Sequence, residues 1–450
     1  MKNIPTVPRF RSIVNLTRFL DNPLPIIKDA LNTYGDTYMV YLGGTLRNIM
    51  TINPDVIQHI LQKNHKNYIK SDITKKRLGK YLGRGLLTTD GAYWLRQRRL
   101  IQPGFHKAKL ALLIQTMNDE ITRYIANLEK RILKGQNIVN INNEMMELTL
   151  NIVCKTLFGS GMTQNQVQDF GKNVHKVQGY LVREIRSPIF NWWRKINGQE
   201  RKAREISHAI NETVMGFVRK RRDSGERHED LLDMLIYSQY EDTGTFMEDK
   251  QIQDEALILF VAGHETSAVS TSWTFMLLSQ HPEVRRLIVQ ELDETKDDQI
   301  PGFEDIPKLD YSRQVVSESM RLYSPAWIID RLALEDDEVA GYKIPKGSMI
   351  AAFVHGVHRS EKYWSNPDQF DPSRFEKSKM KERHPFSYFP FGGGPRLCIG
   401  QHFALMEMQL IISRLSQKFN YTLVNPSIPE PKPLVTLRPE EDIMLRVELA

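Results

Sequence analysis

From Asp55 to Gln280 the apolar positions recur mostly at helical spacing and are broken only by short polar joints, which predicts a long succession of helices. Strand-like alternation is brief and sits toward the two ends of the chain. It covers Tyr38 to Leu42 and Asn48 to Ile52 early, then Lys343 to Phe353 and Tyr421 to Val447 late. Between Pro301 and Gly400, proline and glycine punctuate the pattern so heavily that a loop-rich layer is expected there. A last helix is predicted over Gln401 to Lys418. The fold class read from this pattern is mainly α with small β-sheets.

The segment Gln251 to Gln280 differs from the other helices. Ala256 to Gly263 is apolar on every side, and His264, Glu265, Thr266 and a Ser/Thr-rich stretch follow at once. A helix apolar all round either spans a membrane or runs through a protein core. Charged and hydroxyl side chains at its middle would be costly in hydrocarbon, which favours the core. Gly263 and Thr266 together invite local opening, since glycine weakens the helix and the hydroxyl competes for a carbonyl.

Composition narrows the class. The 450 residues are 41% hydrophobic and 26% charged, as in globular proteins, which excludes disorder and fibre. No repeat or flexible linker divides the chain, so residues 1–450 are expected to form a single domain. Net charge is +7, and the window Lys70 to Lys109 alone carries eleven basic residues against Asp72 and Asp90, leaving the remainder near −2. One local basic face suits an acidic partner; neither zinc-finger spacing nor an aromatic RNA-binding run accompanies it, so nucleic acid is not expected. The start of the chain breaks every apolar run with Arg9, Arg11, Arg18 or proline, so no signal peptide or membrane anchor is expected. With Cys154 and Cys398 the only cysteines, the chain suits a reducing, cytoplasmic compartment.

Cys398 lies in Phe391-Gly392-Gly393-Gly394-Pro395-Arg396-Leu397-Cys398-Ile399-Gly400. So little side-chain bulk lets a flat cofactor approach the main chain, and amide donors near a thiolate stabilise its charge. An isolated cysteine is more often a small buried hydrophobe, and Cys154 reads that way. The spacing Phe-x-x-Gly-x-Arg-x-Cys-x-Gly decides for Cys398, because five fixed residues recur by chance in a chain this long with a probability of roughly one in ten thousand. It resembles the haem-binding loop of the cytochrome P450 superfamily, whose cysteine is the axial iron ligand.

The resemblance spans most of the chain. Ala262-Gly263-His264-Glu265-Thr266 is similar to the family's distal helix motif, which implies that Thr266 and Glu265 are catalytic and feed protons to bound dioxygen; His264 falls at a variable position and reads as structural. Glu318 and Arg321, in Glu-x-x-Arg, with Arg374 resemble the family's structural charge triad. Trp94 and Arg98, one helical turn apart, together with Arg331 and Arg396, match positions that hold the haem propionates. Phe391 opens the cysteine loop and is placed with the cofactor-binding residues. Asp330 departs from the pattern, being charged where the family is small or apolar. Arg96, Arg99, Lys107 and Lys109 are left as candidates for partner docking.

The resemblance implies the P450 fold, haem b held through Cys398, dioxygen as co-substrate, and electrons from NAD(P)H. With no fused reductase expected, electrons would arrive through a ferredoxin or flavodoxin with its reductase. A rearranging or peroxide-using enzyme is the rival within the fold, and the Glu265–Thr266 pair argues against the peroxide branch; a non-catalytic haem-binding sensor, which would not need that pair, is the rival from another functional class. For the small-molecule substrate the implied contacts are Leu86, Leu87, Ala262, Pro325, Ala326, Trp327, Val435 and Thr436. Apolar residues dominate them, yet Lys75-Lys76-Arg77 and Asp330 are more polar than a fatty-acid channel needs. Two readings follow: oxidative demethylation of a polar methoxy compound such as a methylated sugar, and hydroxylation of a fatty acid or terpenoid.

Overall fold

A computed structural model describes residues 3–42, 46–186, 190–296 and 300–450. The chain divides into two compact units, one of residues 1–71, 314–401 and 429–441, the other of residues 72–313, 402–428 and 442–450.

The first unit is built on a five-stranded sheet in the order Thr37–Leu42, Leu46–Thr51, Met349–Ala352, Ile329–Ala333, Tyr68–Ile69. The first pair is an antiparallel hairpin with Thr37 opposite Thr51, and Met349–Ala352 joins it in parallel with Asn48 opposite Met349. Alternation along Met349–Ala352 and beyond sorts the side chains by face. Ile350 and Ala352 enter one core with Ile49, Ile57 and Leu61, whereas Ala351 and Phe353 enter another with Ile27, Tyr38 and Met50. Each fully buried aliphatic side chain contributes about 1.5–3 kcal/mol. Where one strand was expected over Lys343 to Phe353, two short strands, Tyr342–Ile344 and Met349–Ala352, flank a turn. Gly347 takes φ +73° there, so the chain reverses at a residue without a Cβ.

The second unit is helical around Asp249–Gln280, close to the span expected. This helix packs against Ile141–Phe158, Gln199–Ser224, Leu231–Tyr237 and the strand Phe419–Leu423. Ile141–Phe158 starts where Asn140 accepts hydrogen bonds from the amides of Asn142 and Asn143. Most hydroxyls in the Ser/Thr-rich part of the central helix are buried at little cost because they bond within the helix: Thr271 to the Ser267 carbonyl, Ser272 to Ala268 and Thr274 to Ser270. The expected opening at Gly263 and Thr266 is not seen. The helix runs unbroken, and the Thr266 hydroxyl bonds the Ala262 carbonyl at 2.6 Å without displacing the backbone ladder. Ile138–Asn140, Met444–Leu449 and Phe419–Leu423 complete the unit as a three-stranded sheet. No described helix is long and apolar enough to cross a membrane.

Candidate functional site

In the first unit the cysteine loop is shaped by its glycines. Gly392 and Gly394 adopt φ +75° and +65°. A Cβ on Gly394 would stand 1.9 Å from the Leu61 carbonyl oxygen, so no larger residue fits there. The Cys398 amide donates to the Phe391 carbonyl at 3.0 Å and closes the loop on itself. Cys398 is exposed, while Phe391, Arg396 and Ile399 beside it are half-buried. Cys154, by contrast, is buried in the second unit, and burial pushes its thiol far above the ordinary range.

The expected triad forms in the same unit. Arg321 grips Glu318 with two bonds of 2.7 and 2.8 Å, and Arg374 Nε stands 3.3 Å from Glu318 Oε1. Arg321 also donates to the carbonyls of His358, Pro367 and Gln369, so a fully buried guanidinium is satisfied. Arg331 is buried on its strand and donates to the Asp330 carbonyl, and Asp330 takes an ordinary strand position opposite Ala351. Two sets of expected substrate residues, far apart in sequence, meet here. The Leu437 amide donates to the Pro325 carbonyl at 3.1 Å, and Trp327 Nε1 donates to the Leu434 carbonyl at 3.0 Å. Pro325 to Trp327 and Val435 to Thr436 therefore share one neighbourhood, Val435 exposed and Thr436 buried.

In the second unit the middle of the central helix is less buried along one stripe, with Val261 half-buried on another face. Residues 252–258 and 267–278 are buried, but Leu259, Gly263 and Thr266 are half-buried and Ala262 is exposed. Positions 259, 262, 263 and 266 share one face of a helix. Glu265 is buried on a different face, and His264 is buried with Nε2 2.9 Å from the Met146 carbonyl, which supports its structural reading. Trp94 is buried and Arg98 half-buried on the helix Gly91–Ile101. Arg99, Lys107 and Lys109 are exposed. Arg96 is not available in the way expected: its head lies 3.8 Å from the Tyr240 ring centroid and bonds Asp242 and Thr243.

Three groups escaped the sequence reading. Asp254 and Glu255 accept hydrogen bonds from the Arg84 and Leu86 amides at 2.9 and 3.0 Å. Glu407 is fully buried next to Ser267, and burial outweighs that neighbour and pushes its carboxyl up to about 8. A lone acid amid Ala404-Leu405-Met406 and Met408 was the available signal for Glu407.

These residues fit a haem. Each unit by itself offers a feature that a haem takes: the first an exposed soft sulfur ligand on a bulk-free loop, the second a less buried apolar stripe on the central helix. Within the first unit, Arg331 and Arg396 are planar donors of the kind carboxylates take; within the second, Trp94 and Arg98 lie one helical turn apart.

The family model described as Cytochrome P450 matches residues 3–447. The cyclooctat-9-en-7-ol 5-monooxygenase of Streptomyces melanosporofaciens is 29% identical over 390 residues, 87% of this chain and 83% of that protein. The chloroplastic protein LUTEIN DEFICIENT 5 of Arabidopsis thaliana is 31% identical over 439 residues, 94% of this chain and 73% of that one. The cytokinin hydroxylase of Arabidopsis thaliana is 30% identical, over 92% of this chain and 81% of that one. Among solved structures, the cytochrome P450DA haem domain superposes with a TM-score of 0.89 over all of this chain and 98% of the other at 23% identity, a likeness of fold. With the family's model matching almost end to end, the chain belongs to the cytochrome P450 monooxygenase family.

Proposed function

We propose that the protein hydroxylates a largely apolar, terpenoid-like substrate at a C–H bond. The observation that carries this reading concerns the polar residues that had favoured a methoxy sugar. Lys75 pairs with Asp90 at 3.7 Å, Lys76 with Asp72 at 2.8 Å, and Arg77 donates to the Glu184 carbonyl at 2.9 Å. Lys75 and Arg77 are thus engaged by the protein itself, Lys76 pairs at an exposed position, and Asp330, the fourth such residue, lies opposite Ala351 on its strand. What remains of the implied substrate contacts, Leu86, Leu87, Ala262, Pro325, Ala326, Trp327 and Val435, is apolar, with Thr436 as one hydroxyl. A relative named for oxidising a cyclic terpenoid alcohol supports the same class.

In this reading, as the family resemblance implies, Cys398 would hold the haem iron through its thiolate, and Trp94, Arg98, Arg331 and Arg396 would hold the propionates. The haem, when bound, supplies the dioxygen-activating chemistry of the family. The chain's own contributions are protonic and steric. Glu265 carries protons inward, and the Thr266 hydroxyl, which now donates to the Ala262 carbonyl, hands them on. The apolar contacts keep water from the substrate's face.

Electrons come from NAD(P)H through a small acidic ferredoxin or flavodoxin with its reductase, in a reducing cytoplasm. Arg99, Lys107 and Lys109 steer it, with Arg96 tied to Asp242. The experiment is a spectral titration of the purified holoprotein. Geranylgeraniol should give a type I shift at micromolar concentration, and an O-methylated glycoside none. The opposite ranking would refute the terpenoid assignment.

A further inference from the structure

Residues 83–89 form a closed turn ahead of the helix Gly91–Ile101. The Gly85 carbonyl accepts the amides of Thr88 and Thr89 at 3.0 and 3.1 Å and the Thr89 hydroxyl at 2.8 Å. The Thr88 hydroxyl donates to the Gly83 carbonyl at 2.7 Å. This turn carries Leu86 and Leu87, both half-buried. Internal bonding makes it move as a unit, so whatever grips it sets where both leucines stand.

Two consecutive carboxylates of the central helix grip it. Asp254 Oδ2 accepts the Arg84 amide at 2.9 Å, and Glu255 Oε2 accepts the Leu86 amide at 3.0 Å. The approach is so close that it leaves no room for a Cβ at positions 83 and 85 unless the carboxylates shift. A Cβ on Gly83 would stand 2.1 Å from Asp254 Oδ1, and one on Gly85 would stand 2.5 Å from Glu255 Oε2. Glu255 Oε1 is held in turn by Gln251 Nε2 at 2.9 Å, while Gln251 Nε2 also donates to the Arg84 carbonyl at 2.9 Å and its Oε1 accepts the Tyr93 hydroxyl. Lys250 pairs with Asp254 at the outer end.

We propose that Asp254 and Glu255 are positioning residues that clamp the turn 83–89 against the central helix, and that the hold of Glu255 on the Leu86 amide tunes how tightly the enzyme takes its substrate. The proposal rests on the assignment of Leu86 and Leu87 to the substrate contacts.

Glu255 is completely buried, and that burial, opposed by the bonds from Leu86 and Gln251, pushes its carboxyl up to about 7. The titratable groups that interact with it are Asp254 on its own helix, Tyr93 on Gly91–Ile101, and Tyr240; Lys250, Arg84, Arg96 and Glu248 interact with those groups in turn. Opening the turn returns Glu255 to water and its carboxyl to the ordinary value of 4.5. The closed form therefore binds the extra proton, and its advantage declines as pH rises from 4.5 through 7. Between pH 6 and 8 the opening equilibrium should rise about tenfold.

Hydrogen exchange at the Leu86 amide of the holoenzyme, corrected for intrinsic rate, measures that opening directly. The wild type should show the tenfold rise and weaken its binding of geranylgeraniol, which has no titrating group, in parallel. Glu255→Gln keeps an acceptor for the amide without the titration, so it should stay protected and lose the pH dependence of both readouts. Glu255→Ala should expose the Leu86 amide at either pH. A Glu255→Gln protein that keeps the wild-type slope, or a Glu255→Ala protein with unchanged protection, overturns the clamp. If exchange behaves as expected but Leu86→Ala leaves geranylgeraniol affinity unchanged, the substrate assignment falls and the clamp stands.

Discussion

Replacing Cys398 by serine removes the soft ligand from the one exposed cysteine among the described residues, while the loop bond from its amide to Phe391 survives. The variant should fold but lose the thiolate-type absorption of the reduced carbon monoxide complex, whereas Cys154→Ser should retain it; the spectra of the two purified variants check this. Thr266→Ala leaves the stripe of Leu259, Ala262 and Gly263 intact and removes only the hydroxyl. Haem content should be unchanged and product formed per NADH should fall about tenfold or more as electrons are lost to peroxide, measured as product, peroxide and NADH in one assay. Both expectations arise from the sequence alone because motif spacing is local. The state of Arg96 does not. Its engagement depends on Asp242, Thr243 and the Tyr240 ring, nearly 150 positions away, so a basic run that looked uniformly free contains a satisfied member.

Elements were read well where a single period persisted. The central helix and the helix Gln401–Lys418 lie where their apolar pattern put them, because burial on most sides needs a long run of apolar residues that no strand supplies. The late strands were read as longer than they are, since Pro345 and Gly347 end one and begin the next by backbone geometry, not by a change in hydrophobicity. The cysteine loop shows the same dependence on backbone. Gly394→Ala forces a Cβ both into a left-handed conformation, at about 1–2 kcal/mol, and against the Leu61 carbonyl. The variant should lose several degrees of melting temperature and most of its haem, compared by thermal unfolding and Soret absorbance. Equal stability would show that the loop relaxes away from Leu61.

At the scale of the whole molecule, breaking a buried polar network is costly because it leaves a charge buried and unpaired. Glu318→Ala leaves Arg321 buried without its carboxylate, although its bonds to His358, Pro367 and Gln369 remain. Breaking such a pair costs about 3–5 kcal/mol, a large part of the margin of a typical protein. Little soluble holoprotein is expected, and a melting temperature within a degree or two of the parent would contradict it. From its own order of residues the chain determined the helical class, the cysteine loop, the acid–alcohol pair and the charge triad, each a local spacing or a run of one period. Tertiary structure alone decided that Lys75, Arg77 and Arg96 are spoken for, that Pro325 meets Leu437, and that Asp254 and Glu255 close on Gly83 and Gly85. Those facts depend on which distant backbone comes within hydrogen-bond reach, and periodicity along a chain carries no information about that.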